Sequence, residues 1–137
     1  MDKEIKFPSS LLQTCLAVDQ QKINRFAELS SDYNPIHTDP EFAKASSLGG
    51  IIAHGSLSLG LIWNSIQRTL PNGSFQNPVL EVRFKIPAYL GDDLKSGGAL
   101  KPDGLGYDVW VSNQNGYRVL EGVLSLEKGM CGDSIAN

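Results

Sequence analysis

The stretch IIAHGSLSLGLIWNSIQRTL, residues 51–70, constrains the fold more than any other part of the chain. Residues 56–66 carry no charge and are apolar on nearly every face. A helix of that kind is expected to be buried inside a domain rather than laid on its surface. At 1.5 Å per residue, a helix over residues 55–70 spans roughly 24 Å, the width of a small domain. Pro71-Asn72-Gly73 stops it. The rest of the chain has to wrap it. With 137 residues, no internal repeat and no Pro, Gly or Ser-rich linker, the expectation is one domain over residues 1–137 with a core at about 10–128.

Short helices precede the long helix and strands follow it. Residues 11–18 are apolar with few breaks and read as a buried strand. Asp19 reads as the N-cap of a helix over 20–30, with Ile23, Phe26, Ala27 and Ser30 at helical spacing and Val18 and Ile23 at staple positions. Pro35 pushes Asn34 out of helical space, so 32–37 is predicted as a turn. Thr38 and Glu41 have capping-box spacing, and Pro40 suits the first turn of a short helix over about 40–46. Ser46, Ser47, Gly49 and Gly50 make a loop. Beyond the long helix, Leu80, Val82, Phe84 and Ile86 alternate with Glu81, Arg83 and Lys85, as in a half-buried strand. Further strands are expected over 93–101, 105–112 and 117–127, with a bulge at Gly97-Gly98 and a type I′ hairpin at Asn115-Gly116. The plan is α+β: four strands in antiparallel succession, preceded by one more, forming a sheet around one helix.

Net charge is -3 and the Lys and Arg residues are scattered. No basic stripe is available for nucleic acid and no basic run for a membrane surface. No segment reaches the roughly 18 apolar residues of a membrane-spanning helix. The start, MDKEIKF, is charged and lacks the apolar run of a signal peptide. Cys15 and Cys131 lie far apart without metal-binding spacing, which reads as two free thiols in a reducing cytosol. The end, GMCGDSIAN, has no apolar period and is expected to fray.

The sequence has two histidines, His37 and His54. His37 follows Asp32 across the proline turn of SDYNPIHTDP. An aspartate and an imidazole converging on one point can hold a water and move its protons. The same residues also fit a bland reading, in which Asp32 and Asn34 cap turns and His37 is half-buried. His54 is followed by Gly55 at the helix start, where unpaired N–H groups and a partial positive charge stabilise a developing oxyanion. Gly55 alone fits an easy helix entry equally well. His37, Asp39 and His54 offer metal-ligating atoms, but their spacing matches no established zinc framework, and no metal is expected.

Taken together, SSDYNPIHTDPEFA, IIAHGSL and VRFKIPAYLGDDL resemble the MaoC-like, R-specific enoyl-CoA hydratase family. The matching positions are Ser30, Asp32, Asn34, Pro35, His37, Asp39 and Ala43, then Ile52, Ala53, His54, Gly55 and Leu57. A later pattern falls on Phe84, Pro87, Gly91, Asp92 and Leu94. The resemblance implies a hot-dog fold, an antiparallel sheet wrapped around a long central helix. It implies an Asp32/His37 catalytic pair, with the Gly55 N–H polarising a thioester carbonyl. Asn34, His54, Ile52, Ala53, Trp63 and Phe84 would bind substrate or support the site. Also implied are an acyl-CoA or acyl-carrier-protein thioester as substrate, and a homodimer or higher homo-oligomer; no cofactor is expected.

The chain departs from the family pattern at Ile51, where many relatives have proline, and at Ser56, where methionine is usual. Trp63 replaces a small hydroxyl residue of some relatives. Other readings are a tailoring dehydratase on a carrier-bound intermediate, a hot-dog thioesterase and a non-catalytic acyl-binding module. Residues 54–70 contain no Asp or Glu, which counts against a thioesterase that activates water from the central helix.

Overall fold

A computed structural model describes residues 6–129. Cys131 and the tail from residue 130, expected to fray, lie outside them. The elements run β1 (Cys15–Ala17), α1 (Gln20–Ser30), α2 (Pro35–Thr38), α3 (Pro40–Ala45), α4 (Gly55–Thr69), β2 (Phe75–Phe84), β3 (Asp93–Leu100), β4 (Gly106–Ser112) and β5 (Arg118–Lys128). The five strands form one antiparallel sheet of order β1-β3-β4-β5-β2 around α4.

Helix α4 buries Ser58, Leu61, Ile62, Ser65 and Ile66, a single stripe at i, i+3, i+4, i+7 and i+8. The expectation of burial all round therefore fails. The sheet wraps one side only, and Gly60, Trp63 and Gln67 face outward. Tyr107, Val109 and Val111 of β4 and Leu120 and Leu124 of β5 belong to the same core. Each such aliphatic side chain contributes ~1.5–3 kcal/mol on burial.

The strands do not follow one another across the sheet as expected. β2 pairs with β5 at one edge, whereas β3 starts beside β1 at the other. The connection crosses the helix start, held by Ala53 N donating to Ala88 O at 2.8 Å and Leu90 N to Ile51 O at 3.0 Å. β1 covers only the end of the predicted 11–18 strand. Thr14 N donates to the Ser96 hydroxyl at 2.9 Å rather than to a strand carbonyl, which interrupts the ladder. Gly97 and Gly98 keep regular register with Trp110 and Val109, so no bulge forms there. Their missing side chains make room for the Trp110 indole and for Leu11.

The hairpin between β4 and β5 lies where expected, but its turn differs. Gly116 has φ 82, whereas Asn115 is not among the residues with positive φ, so the type I′ geometry is absent. Gly116 N donates to Asn113 O at 3.0 Å, and a register shift follows at Ser112. Asp19 caps α1 as read, accepting from Lys22 N at 2.8 Å, and Val18 and Ile23 are both buried. The cap of α3 is Asp39, which accepts from Glu41 N and Phe42 N, not Thr38. Thr38 is instead the last residue of α2, a single helical turn that overlaps the predicted 32–37 turn and runs one residue past it.

Candidate active site

Two successive side-chain turns shape the segment after α1. Ser31 takes a left-handed conformation (φ 60) and ends the helix. The Asp32 Oδ1 then accepts from Asn34 N at 3.2 Å, and the Asn34 Oδ1 accepts from Ile36 N at 3.1 Å, capping α2. Pro35 occupies the first turn of α2, where it lacks only a hydrogen bond the helix does not need. Together these turn His37 inward to a buried position while the Asp32 side chain stays 52% exposed.

His37 is held from two sides. Its Nδ1 lies 2.7 Å from the Ile52 carbonyl, and its own carbonyl accepts from Gln20 Nε2 at 2.9 Å. A carbonyl can only accept, so Nδ1 carries the proton and Nε2 presents a lone pair. That Nε2 lies 3.8 Å from Asp32 Oδ2. The gap is too long for a direct hydrogen bond and fits a water bonded to both groups. Two acceptors on one water can orient it and take its proton.

His54 joins the two halves of this pair. Its ring stacks on His37 with centroids 3.8 Å apart, and its Nε2 donates to the Asp32 carbonyl at 3.0 Å. Phe26 packs against its other side at 5.0 Å. Its Nδ1 is buried without a hydrogen-bond partner among the described residues. Since Nε2 carries the proton, this Nδ1 is an unpaired acceptor. Asp32, His37 and His54 each offer a ligand atom within 4.8 Å of the others, so the donor set also fits a cation. Asp39, named with the histidines as a potential ligand, instead caps α3.

The residue after His54 opens α4. Gly55 stands at the first helical position, where the main-chain N–H groups lack intrahelical partners. A Cβ there would lie 2.9 Å from Phe84 Cε1, so glycine is what lets the Phe84 ring sit against the helix start. Phe84 is 54% exposed, not half-buried in strand alternation. Beyond it, Lys85 and Ile86 both direct their N–H groups to Val119 O, and the chain leaves the regular ladder.

A cavity of about 330 Å³ opens beside this point. Ile52, Ala53, Gly55 and Phe84 line it. Asn34 and His54 do not; they shape the Asp32 turn instead. Trp63 is 37% exposed on the outer face of α4 and lies away from the cavity. Sequence reasoning missed Ser58, Ala88 and Val119 in the lining. Ser58 was findable, because it follows Gly55 by three residues and shares its side of the helix.

A family model described as a MaoC like domain matches residues 4–101. The chain is 33% identical to an (R)-specific enoyl-CoA hydratase of Aeromonas caviae over 73 residues, 53% of this chain and 54% of that one. It is 32% identical to 3-hydroxyacyl-thioester dehydratase X of Mycobacterium tuberculosis over 103 residues, 72% of this chain and 33% of that one. The matched segment thus spans about half or less of these relatives' length. The unliganded R-hydratase structure from Pseudomonas aeruginosa superposes with a TM-score of 0.78 at 28% identity, covering 92% of this chain and 83% of that one. The sheet around α4 is therefore a hot-dog fold, and the chain belongs to the MaoC-like hydratase and dehydratase family.

Proposed function

We propose that this protein adds water to a 2-enoyl thioester to give the R-3-hydroxyacyl thioester, or runs the reverse dehydration. The observation that carries the reading is the 3.8 Å separation of His37 Nε2 and Asp32 Oδ2, beside the open start of α4. The Asp32 carboxylate orients a water through one hydrogen, and His37 Nε2 takes the other as the oxygen bonds to C3. The electrons of the double bond move onto the thioester oxygen, where the Gly55 N–H meets the developing charge. His37 then returns its proton to C2. One water is consumed, both groups end as they began, and no cofactor enters. Addition from one side of the substrate follows from a single water held by a single pair.

The thioester is carried by coenzyme A or by an acyl carrier protein. No described helix is long and apolar enough to cross a membrane. The exposed, free Cys15 suits a reducing cytosol. A homodimer fits the outer edge of the sheet. β2 pairs on one side only, is ten residues long, and exposes Val79 and Phe84. Such an edge is a template for a second copy unless something covers it. The deciding experiment is to mix the protein with crotonyl-CoA and follow the conjugated enoyl-thioester absorbance. The expected result is its loss, with chiral analysis giving the R-3-hydroxy product. Steady absorbance, or release of free thiol in place of hydration, overturns the reading.

A further inference from the structure

The cavity beside Gly55 is lined mainly by apolar groups, and Ser58 breaks that pattern. Ser58 is only 3% exposed, yet its hydroxyl has no hydrogen-bond partner among the described residues. The other buried hydroxyls of the neighbourhood are all engaged. Ser65 donates to the Leu12 carbonyl, Thr14 donates to Leu61 O at 2.8 Å, and the Ser96 hydroxyl lies 2.7 Å from that of Thr14. The oxygen is not sealed from the cavity, since among the described residues the fully buried unpaired side-chain atom is His54 Nδ1. A hydroxyl left unpaired once a ligand has displaced the cavity's solvent is costly. One that opens into a ligand cavity finds its partner on the ligand.

The position of Ser58 says which part of the ligand. Gly55 is exposed and Ser58 buried, so the cavity deepens along α4 away from solvent. Phe84 and Lys85 stand exposed at its mouth, while Ala88 and Val119 are buried. A thioester held at Gly55 therefore leaves its carrier arm outside and directs its acyl chain toward Ser58. Three residues of helix advance ~4.5 Å. In an extended chain with carbon–carbon bonds of about 1.5 Å, that reach falls on the atoms just past the double bond.

Building on the hydratase reading above, we infer that Ser58 is a specificity-determining residue. It selects short acyl groups that carry an ether or carbonyl oxygen just beyond the reacting double bond, over plain alkyl chains. Such an oxygen accepts from the Ser58 hydroxyl and fills the unpaired position. A purely alkyl chain leaves it unpaired.

Binding tests this apart from turnover. Calorimetry is run with saturated, unreactive thioesters in two matched pairs: 4-methoxybutanoyl-CoA against hexanoyl-CoA, and 4-oxopentanoyl-CoA against pentanoyl-CoA. The wild-type protein is expected to prefer the oxygenated member of at least one pair by ~5-fold or more, the scale of one net hydrogen bond. Ser58→Ala is expected to lose that preference. Its Tm should equal or exceed that of the wild type, because no protein hydrogen bond is removed. An equal ratio of affinities in wild type and S58A for both pairs overturns the inference, as does failure of all four to bind. A fall in Tm of ~3 °C or more overturns it too, because the hydroxyl would then have a partner within the protein. Crotonyl-CoA hydration, measured in parallel, reports on the underlying reading independently of these ratios.

Discussion

The two ends of α4 are built on opposite principles. At its C-terminal half, hydroxyls close off the main chain. Thr69 Oγ1 accepts from Leu12 N at 2.8 Å and donates to Ser65 O at 2.7 Å, and Leu70 is buried with its N–H on Ile66 O. At the N-terminus, His54 makes no side-chain cap and Gly55 stands exposed beneath the Phe84 ring. Capping one end and not the other is what a helix does when its positive end is kept for a ligand. Stability and chemistry should then separate along one helix.

Substitutions can break or sharpen that contrast. The largest effect is expected at the open end. Asp32→Asn or His37→Ala should lower kcat for crotonyl-CoA hydration at least ~10²-fold, the low end for acid–base groups. Normal thermal unfolding would show the fold intact, and unchanged turnover in both variants would remove the pair from the mechanism. Next comes Thr14→Val at the sealed middle of the helix. It removes the hydroxyl that bonds Leu61 O and the Ser96 hydroxyl, leaving Ser96 only the main-chain N of residue 14, and chemical denaturation should show a loss of about 2 kcal/mol. Activity per folded molecule should hold, and a rate loss there would blur the division.

Gly55→Ala returns to the open end with a smaller effect. The new methyl must displace Phe84, and kcat is expected to fall about 10-fold, less than the ~10²–10³-fold of losing an oxyanion contact outright. Adding Phe84→Leu should restore part of that loss if crowding is the cause. Smallest of all, Thr69→Val should cost about 1 kcal/mol of stability, because Leu12 N loses its acceptor. Urea midpoints read this, and an undiminished midpoint would mean the C-terminal seal is dispensable.

Local features of the chain were legible because their causes are local. Asp19 acts within a turn of its own position and α1 starts where it demands, whereas the single turn of α2 at Pro35 is legible only as a turn. The cap of α3 was misplaced by one residue because Thr38 and Asp39 are both capping types and only packing chooses between them. Long-range features were not legible. Nothing in the alternation of Leu80, Val82, Phe84 and Ile86 says that this strand pairs with β5, or that the ring of Phe84, its last residue, lies on Gly55. Within the site, the Asp32/His37 approach and the cavity-lining Ile52 and Ala53 could be anticipated. The stacking of His54 on His37 and the unpaired Ser58 hydroxyl depend on where separate segments meet. The outward turn of Trp63 does too, because it depends on how far the sheet wraps.

The crossing connection between β2 and β3 has a consequence for how the molecule comes into being. Cys15 pairs with Lys95, and the helix start is held against Ala88. The segment carrying Asp32 and His37 meets Gln20, Ile52 and His54 early, but the helix start beside it has nothing to close against until Ala88 and the later strands emerge. Contacts this distant along the chain slow folding and leave apolar segments uncovered meanwhile. The uncharged α4 would pass through that interval on the ribosome without its sheet. Its exposure during synthesis is the hidden counterpart of a proposed catalytic pair carried by the first half of the chain, beside a helix that only the second half covers.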